Sequence, residues 1–307
     1  MTGEIKLMFV TDLHGSEIAY RKALNAAKMH NVNYLIIGGD ITSKNIVFIE
    51  RSGDKYYFND NEVDIKTVYE DARKYGYYIH VASKDEIQKI LENKEFFESV
   101  KRTLIEKQID NWIKIAEEKL TGTNIKVFWS YGNDDPLYLD EVFSKYNIRD
   151  EGIFELEEGK TNTLYLISYG YVNPTPFKSY REEPDSTIYI KGEDYLRKID
   201  DPERAILNFH APPYNTKLDI AIIDGKKREH VGSRGVRDLI EKYRPLLGLH
   251  GHIIESPATD KIKNTIVVNP GSLAYEGLLK YSIIVIERKL EGLLVKYKIK
   301  GAAILSG

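Results

Sequence analysis

The feature that most narrows the fold is a recurring one. Short, largely apolar runs are each stopped by glycine, aspartate, asparagine or histidine. Ile5 to Val10 runs into Thr11-Asp12-Leu13-His14, and Asn33 to Ile37 runs into Gly38-Gly39-Asp40. Ile125 to Ser130 leads to Gly132-Asn133-Asp134-Asp135, Ala205 to Phe209 to His210, and Leu246 to Leu249 to His250-Gly251-His252. Apolar runs of this length, bounded by turn residues, read as buried strands. Between the first two, Ser16 suits an N-cap, and Ile18, Ala19, Ala23, Ala26 and Ala27 keep a helical stripe. The chain therefore opens strand–helix–strand, a right-handed crossover in a mainly parallel region of an α/β protein.

After Asp40 the pattern changes. Ile46 to Glu50 and Tyr56 to Phe58 flank the turn signal Arg51-Ser52-Gly53-Asp54-Lys55, and Ser83 with Glu86 forms a capping-box pattern. Two helical stretches follow, the second running to about Leu120, where Thr121-Gly122 supplies a stop. Residues 44–122 are read as a mainly helical insertion, a lid or cap. The core pattern then resumes, with strands expected at 125–130, 164–168, 205–209, 246–249 and 266–268. A helix is expected after Ser233, and a C-terminal hairpin at 281–287 and 293–299.

The 307 residues suit one large domain carrying such an insertion, or two smaller domains, and either is ample for a sizeable core. There is no cysteine, which excludes disulfides, thiolate zinc sites and cysteine nucleophiles. A net charge of -3 gives no general basic footprint for long nucleic acid. No run is long enough to span a membrane, and no basic-then-apolar signal segment is seen, so the expected location is the cytoplasm.

The strand ends carry the chemistry. Ligands in open α/β sheets gather beyond the carboxyl ends of strands, and four of the seven histidines lie at these five ends. Side chains two apart in extended backbone point the same way, so Asp12 with His14, and His250 with His252, can face one site. Carboxylate and amide oxygens mixed with imidazole nitrogens suit Mn²⁺, Fe or Zn²⁺, and suit Ca²⁺ poorly.

The order Asp-Leu-His (12–14), Gly-Gly-Asp (38–40), Gly-Asn-Asp-Asp (132–135), Phe-His-Ala-Pro-Pro (209–213) and Gly-Leu-His-Gly-His (248–252) resembles the signature of the calcineurin-like metallophosphoesterases. Residues 169–182, 216–219, 230–256 and 267–272 are similar to one prokaryotic branch of that family. The resemblance implies a single domain over 1–307 with a four-layer α/β/β/α sandwich of two mixed sheets. It implies a dinuclear site, with Asp12, His14 and His252 on one metal, Asp40 bridging, and Asn133, His210 and His250 on the other. It implies hydrolysis of a small phosphoester, preferably a diester, by in-line attack of a metal-bridging hydroxide. Phosphomonoesterase and nuclease activity are the alternatives, and a non-catalytic metal-binding scaffold is the alternative of another class.

Many members of that family carry histidine directly after the asparagine. This chain has Asp134 there. An ionised carboxylate repels a phosphate, so Asp134 either turns away or is protonated and acts as a catalytic acid; a substrate-side role is favoured over acid catalysis. Asp135 is expected to brace the loop. Arg181 is a candidate phosphate fork and His230 a second candidate substrate contact. His80 is expected to be packed and His30 solvated. The tyrosine-rich insertion suggests a possible homodimer contact.

Overall fold

The computed structural model describes residues 3–157, 163–291 and 294–307. The first half comprises β1 (Gly3–Val10), α1 (Glu17–Met29), β2 (Tyr34–Gly38), β3 (Ile46–Ser52), β4 (Lys55–Phe58), β5 (Asn61–Glu62), α2 (Ile65–Tyr75), β6 (Tyr78–Ala82), α3 (Lys84–Glu92), α4 (Lys94–Leu120) and β7 (Lys126–Ser130). There follow α5 (Leu139–Ser144), β8 (Gly152–Glu157), β9 (Leu164–Tyr169), α6 (Asp185–Arg197), β10 (Ala205–Phe209), β11 (Ile220–Ile223), β12 (Lys227–His230) and α7 (Arg234–Tyr243). The chain closes with β13 (Leu247–Leu249), β14 (Ala258–Ile262), β15 (Thr265–Asn269), β16 (Lys280–Glu291) and β17 (Leu294–Ser306).

Two mixed sheets form the centre. One runs β17-β16-β1-β2-β7, with β1, β2 and β7 parallel. The other runs β14-β15-β13-β10-β9-β8, with β15, β13, β10 and β9 parallel. The period-two alternation of strand side chains sorts the residues into layers. In β1, Leu7 and Phe9 face the second sheet and meet Ile206, Leu247 and Leu249. Met8 and Val10 point the other way, into a cluster with Ala23 and Leu24 of α1 and Ile109 and Trp112 of α4. In β10, Ile206 lies between the sheets, whereas Leu207 and Phe209 pack with Ile188 of α6 and Val236 and Leu239 of α7. Both faces of both sheets are thus covered, giving α/β/β/α layers.

Capping matches the sequence. Ser16, Ser83 and Ser233 accept from the N–H of Ala19, Glu86 and Val236 at the starts of α1, α3 and α7. Residues 44–122 contain three helices and a four-stranded sheet, β5-β4-β3-β6, whose fully enclosed core is small: Ile49, Ala72 and Ile79. The second half of α4 is built into the main body. Trp112 stacks on Tyr20 of α1 at 4.3 Å, and the Tyr20 hydroxyl donates to the Trp112 carbonyl at 2.7 Å.

Several elements differ from the sequence reading. Helix α6 is not among the expected helices, because Thr187, Ile188, Tyr189 and Ile190 favour strands and no side chain caps its start. Tertiary packing decides it: a Cβ on Gly192 would lie 2.4 Å from Leu239 of α7, so the two helices approach closely. The β11–β12 hairpin is a further element absent from that reading. The C-terminal hairpin is longer than expected and carries a register shift at Val285/Ile286. The glycine of its expected turn, residue 292, lies outside the described residues. His30 is not freely solvated; it is half-buried, with Nε2 3.0 Å from the Tyr281 hydroxyl. His80 is half-buried beside Phe48, in keeping with the expected packing.

Candidate metal centre

The five strand ends converge. Asp12 and His14 follow β1, Asp40 follows β2, Asn133 follows β7, His210 follows β10, and His250 and His252 follow β13. Ligand atoms of Asp12, His14 and Asp40 all lie within 4.8 Å of one another, as do those of Asp40, His210 and His252. Asp40 belongs to both groups. Its Oδ2 is 3.3 Å from His210 Nε2 and 3.9 Å from His14 Nε2. Asp12, Asp40, Asn133, His210 and His250 are buried.

The backbone reaches this arrangement in unfavourable conformations. Asp12 (φ 55°), His14 (φ 42°), Asp40 (φ 48°) and His252 (φ 66°) are all left-handed. Outside glycine this costs about 1 kcal/mol per residue, although Asp and His tolerate it better than most. Such strain persists only where surrounding structure over-determines it. Here the N–H groups of Asp12 and His14 donate to the carbonyls of Gly39 and Asp40, both at 2.9 Å. The His252 N–H donates to the Asp12 carboxylate at 3.2 Å. The Ser272 hydroxyl donates to the Asp12 carbonyl at 2.6 Å, and the Thr11 hydroxyl to Asp12 Oδ2 at 2.7 Å. Glycine is required between the two histidines, since a Cβ on Gly251 would sit 2.3 Å from Thr11 Oγ1 and 2.5 Å from Asp12 Oδ2.

The imidazole tautomers follow from their partners. His210 Nδ1 donates to the Gly38 carbonyl at 2.9 Å, which leaves Nε2 with its lone pair. His250 Nδ1 donates to the carbonyls of Phe209 (2.9 Å) and Ala211 (3.0 Å), with the same result. A carbonyl behind the ring is the arrangement that fixes a metal-binding histidine. Within the cluster, among the described residues, three buried acceptors lack a hydrogen-bond partner: Asn133 Oδ1, His210 Nε2 and His250 Nε2. An unpartnered buried acceptor is costly, and these three atoms are of the type that bind a cation. The donor set therefore fits divalent metal ions. His250 stands apart from the two compact groups. Its Nε2 would lie 2.5 Å from a Cβ on Gly248, so only glycine fits beneath the ring.

The electrostatics point the same way. Burial works against the Asp40 carboxylate, but His210, His14 and the Asp134 N–H outweigh it and hold it ionised. Burial raises Asp12. Burial alone would lower His210, yet Asp40 and Asp12 push it up to about 10, so without a cation Nε2 carries a proton facing Asp40, and the lone pair is free for a metal ion only once that proton is displaced. Burial, then His210, brings His252 down to about 4, and burial brings His250 to about 4. The pocket concentrates negative charge and draws in positive charge.

The remaining predicted residues fall around this cluster. The Asp134 N–H donates to Asp40 Oδ1 at 2.8 Å. Burial, then Asp40, pushes the Asp134 carboxyl up to about 6, against the pull of Lys44, with which it forms an ion pair. Asp135 accepts from the N–H groups of Gly132 (2.9 Å), Ile41 (3.2 Å) and Thr42 (2.9 Å), so it ties two of the loops together. Arg181 is buried, and its guanidinium donates to the carbonyls of Asp135 and Pro136 and to Asp140 Oδ1, over the face of Tyr131. The fork expected for a phosphate is thus turned onto the loop that carries Asn133. His230 donates from Nδ1 to Asp219 Oδ1 at 2.7 Å, and its ring lines a cleft of ≈ 490 Å³ shared with His252, Phe177, Tyr214 and Arg234. Lys44, Thr11 and Ser272 are not among the expected site residues. Thr11 adjoins Asp12 in the sequence, whereas only the folded chain brings Lys44 to Asp134 and Ser272 to Asp12.

A family model described as Calcineurin-like phosphoesterase matches residues 5–256. The chain is 38% identical over 118 residues to "Uncharacterized protein MJ1162" of Methanocaldococcus jannaschii, a match covering 38% of this chain and 52% of that protein. It therefore spans about half the length of the curated relative it matches. Among solved structures it is similar to TT1561 of Thermus thermophilus, with a TM-score of 0.51, 14% identity, and coverage of 91% of this chain and 94% of that one. A second crystal structure gives a TM-score of 0.58 at 20% identity, covering 97% and 100%. These structural likenesses concern the fold alone. The family model spans most of the chain and takes in every strand end of the cluster: the chain belongs to the calcineurin-like phosphoesterases, which are hydrolases.

Proposed function

We propose that this chain is a dinuclear-metal phosphoesterase that prefers phosphodiesters. The observation that carries the proposal is the cluster itself. Strained aspartates and histidines from separate strands are fixed within 4.8 Å of one another, beside orphaned acceptors on Asn133, His210 and His250. In this reading Asp12, His14 and His252 hold one ion, Asn133, His210 and His250 hold the other, and Asp40 is shared. Mn²⁺, Fe and Zn²⁺ suit the mixed oxygen and nitrogen donors.

Two bound cations would supply hydroxide near neutral pH and neutralise charge on the phosphoryl oxygens. The chain's own contribution is positional. The carbonyls behind His210 and His250 hold each ring with its Nε2 lone pair free. Asp135 and Arg181 fix the loop that presents Asn133. Asp134 acts on the substrate side. The cleft beside His252 takes one ester group of the substrate, with His230 as its polar contact, held by Asp219. A cleft of that size beside the cluster suits a diester, which carries two organic groups. Residues 44–122 act as a cap. In support, Lys101 of α4 reaches the Tyr180 hydroxyl at 3.2 Å, on the loop whose Ser179 accepts from Asn133. A small phosphoester substrate and a cytoplasmic location complete the reading.

The test is hydrolysis of bis-p-nitrophenyl phosphate against p-nitrophenyl phosphate, with and without added Mn²⁺. Metal-dependent turnover with preference for the diester is expected. Preference for the mono-ester reverses the substrate assignment, and two bound ions with no hydrolysis of either ester favours the scaffold.

A further inference from the structure

We propose that Lys44 is a phosphate-binding residue of the site, and that Asp134 serves to position it. The proposal rests on the metal-centre reading above and adds a residue to it.

Asp134 poses a problem that Lys44 resolves. The carboxylate follows Asn133 and sits against Asp40, to whose Oδ1 its N–H is bonded. Left unpaired, it would be a third carboxylate, with Asp12 and Asp40, facing the phosphoryl group. Like charges at such separations are strongly unfavourable in a partly buried site. The Lys44 ammonium pairs with Asp134 Oδ2, while the Asn133 amide donates to Oδ1 at 3.2 Å. The carboxylate is thereby turned into a holder for a cation.

The ammonium has capacity left. Lysine has three N–H donors, and Asp134 engages one. The Lys44 side chain is 57% exposed, whereas that of Asp134 is 11% exposed, so the charge stands on the open side of the pair. Its partner Asp134 is bonded to Asp40, which places the ammonium at the edge of the cluster.

The backbone beneath Lys44 is held firmly. Thr42 donates to Asp135 from both N–H (2.9 Å) and hydroxyl (2.8 Å), and the Ser43 N–H donates to the Tyr78 hydroxyl at 3.1 Å. The Asn45 N–H donates to Ser43 Oγ at 3.1 Å. These bonds fix the stem from which the ammonium extends. Lys44 thus provides, from the root of the 44–122 stretch, the positive charge that the chain lacks at position 134.

The experiment measures binding of inorganic phosphate by calorimetry, and KM and kcat for bis-p-nitrophenyl phosphate, on metal-loaded protein whose metal content is assayed in parallel. The wild type is compared with Lys44→Met, Lys44→Arg, Asp134→Asn and the Asp134→Asn/Lys44→Met double variant. Lys44→Met is expected to weaken phosphate binding and raise KM by about tenfold, the scale of one lost charge-assisted hydrogen bond. Lys44→Arg should restore most of the loss. Removing Lys44 should cost clearly less once Asp134 is already Asn, because the pair acts as a unit. Phosphate binding within about twofold of wild type in Lys44→Met, at unchanged metal content, overturns the proposal, and so does a wild type that binds no phosphate. Lys44-dependent phosphate binding without turnover of any ester would instead keep Lys44 and sink the phosphoesterase reading.

Discussion

The strand-end cluster and the 44–122 stretch are held in opposite ways. At the cluster, each aspartate is gripped from several directions: Asp12 alone is bonded through Thr11, Ser272, Gly39 and the N–H of His252. Four of its residues sit in left-handed backbone that relaxes only if those bonds break. In β3–β6, by contrast, the buried apolar cluster is Ile49, Ala72 and Ile79, and Phe58, Tyr69 and Tyr75 remain exposed. Precision needs over-determination, and a region with few buried apolar contacts is the freer to open locally. The second half of α4, with Trp112 against Tyr20, anchors the looser part to the tighter one.

The most severe way to break the comparison is at the shared carboxylate. Asp40→Asn keeps the shape but removes the charge on which both groups depend. It should lower kcat by at least about a hundredfold, the scale of losing one electrostatic stabiliser, and reduce metal content. Ile49→Ala attacks the other region. It should cost about 2–5 kcal/mol of local stability. Hydrogen exchange should rise in β3–β6 and stay unchanged at the strand ends; equal rises in both would deny that the two are separately held. Ser272→Ala removes one support of Asp12 without touching a ligand atom. Metal affinity should fall by about tenfold, as for loss of other outer supports, read by competition with a chelator.

A smaller effect concerns Asp150, whose charge is felt by Asp140 and Arg181. Burial, with a contribution from Asp140, raises its folded pKa to about 6. The folded state therefore binds its proton more tightly than the unfolded state does. Stability from this group is gained as pH falls through about 6 towards the ordinary carboxylate range, and is lost as pH rises. Asp150→Asn should raise the melting temperature at about pH 7.5 and leave it nearly unchanged at about pH 4. An equal change at both would remove the burial explanation.

Much of this was legible in the sequence because strands and ligands share one signal. An apolar run that stops at Gly, Asp or His marks both the strand and the place where its loop must turn, and so the layers and the converging ends could be read together. The fork of Arg181 misleads for a physical reason. Nothing in Asn-Pro-Thr-Pro or its flanks records that two carbonyls of the 132–136 loop lie within reach of the guanidinium. Lys44 escapes a sequence reading likewise, since its partner Asp134 is far away along the chain. Helix α6 is hidden because its residues favour strands and only contact with α7 makes it a helix.

The central claim is that residues from position 12 to position 252 meet around two cations. Elemental analysis of the purified chain, after loading with Mn²⁺ or Zn²⁺ and removal of free metal, tests it most directly. The account predicts close to two equivalents per chain in the wild type and fewer in Asp40→Asn. A wild type that retains no transition metal under any loading condition would contradict it.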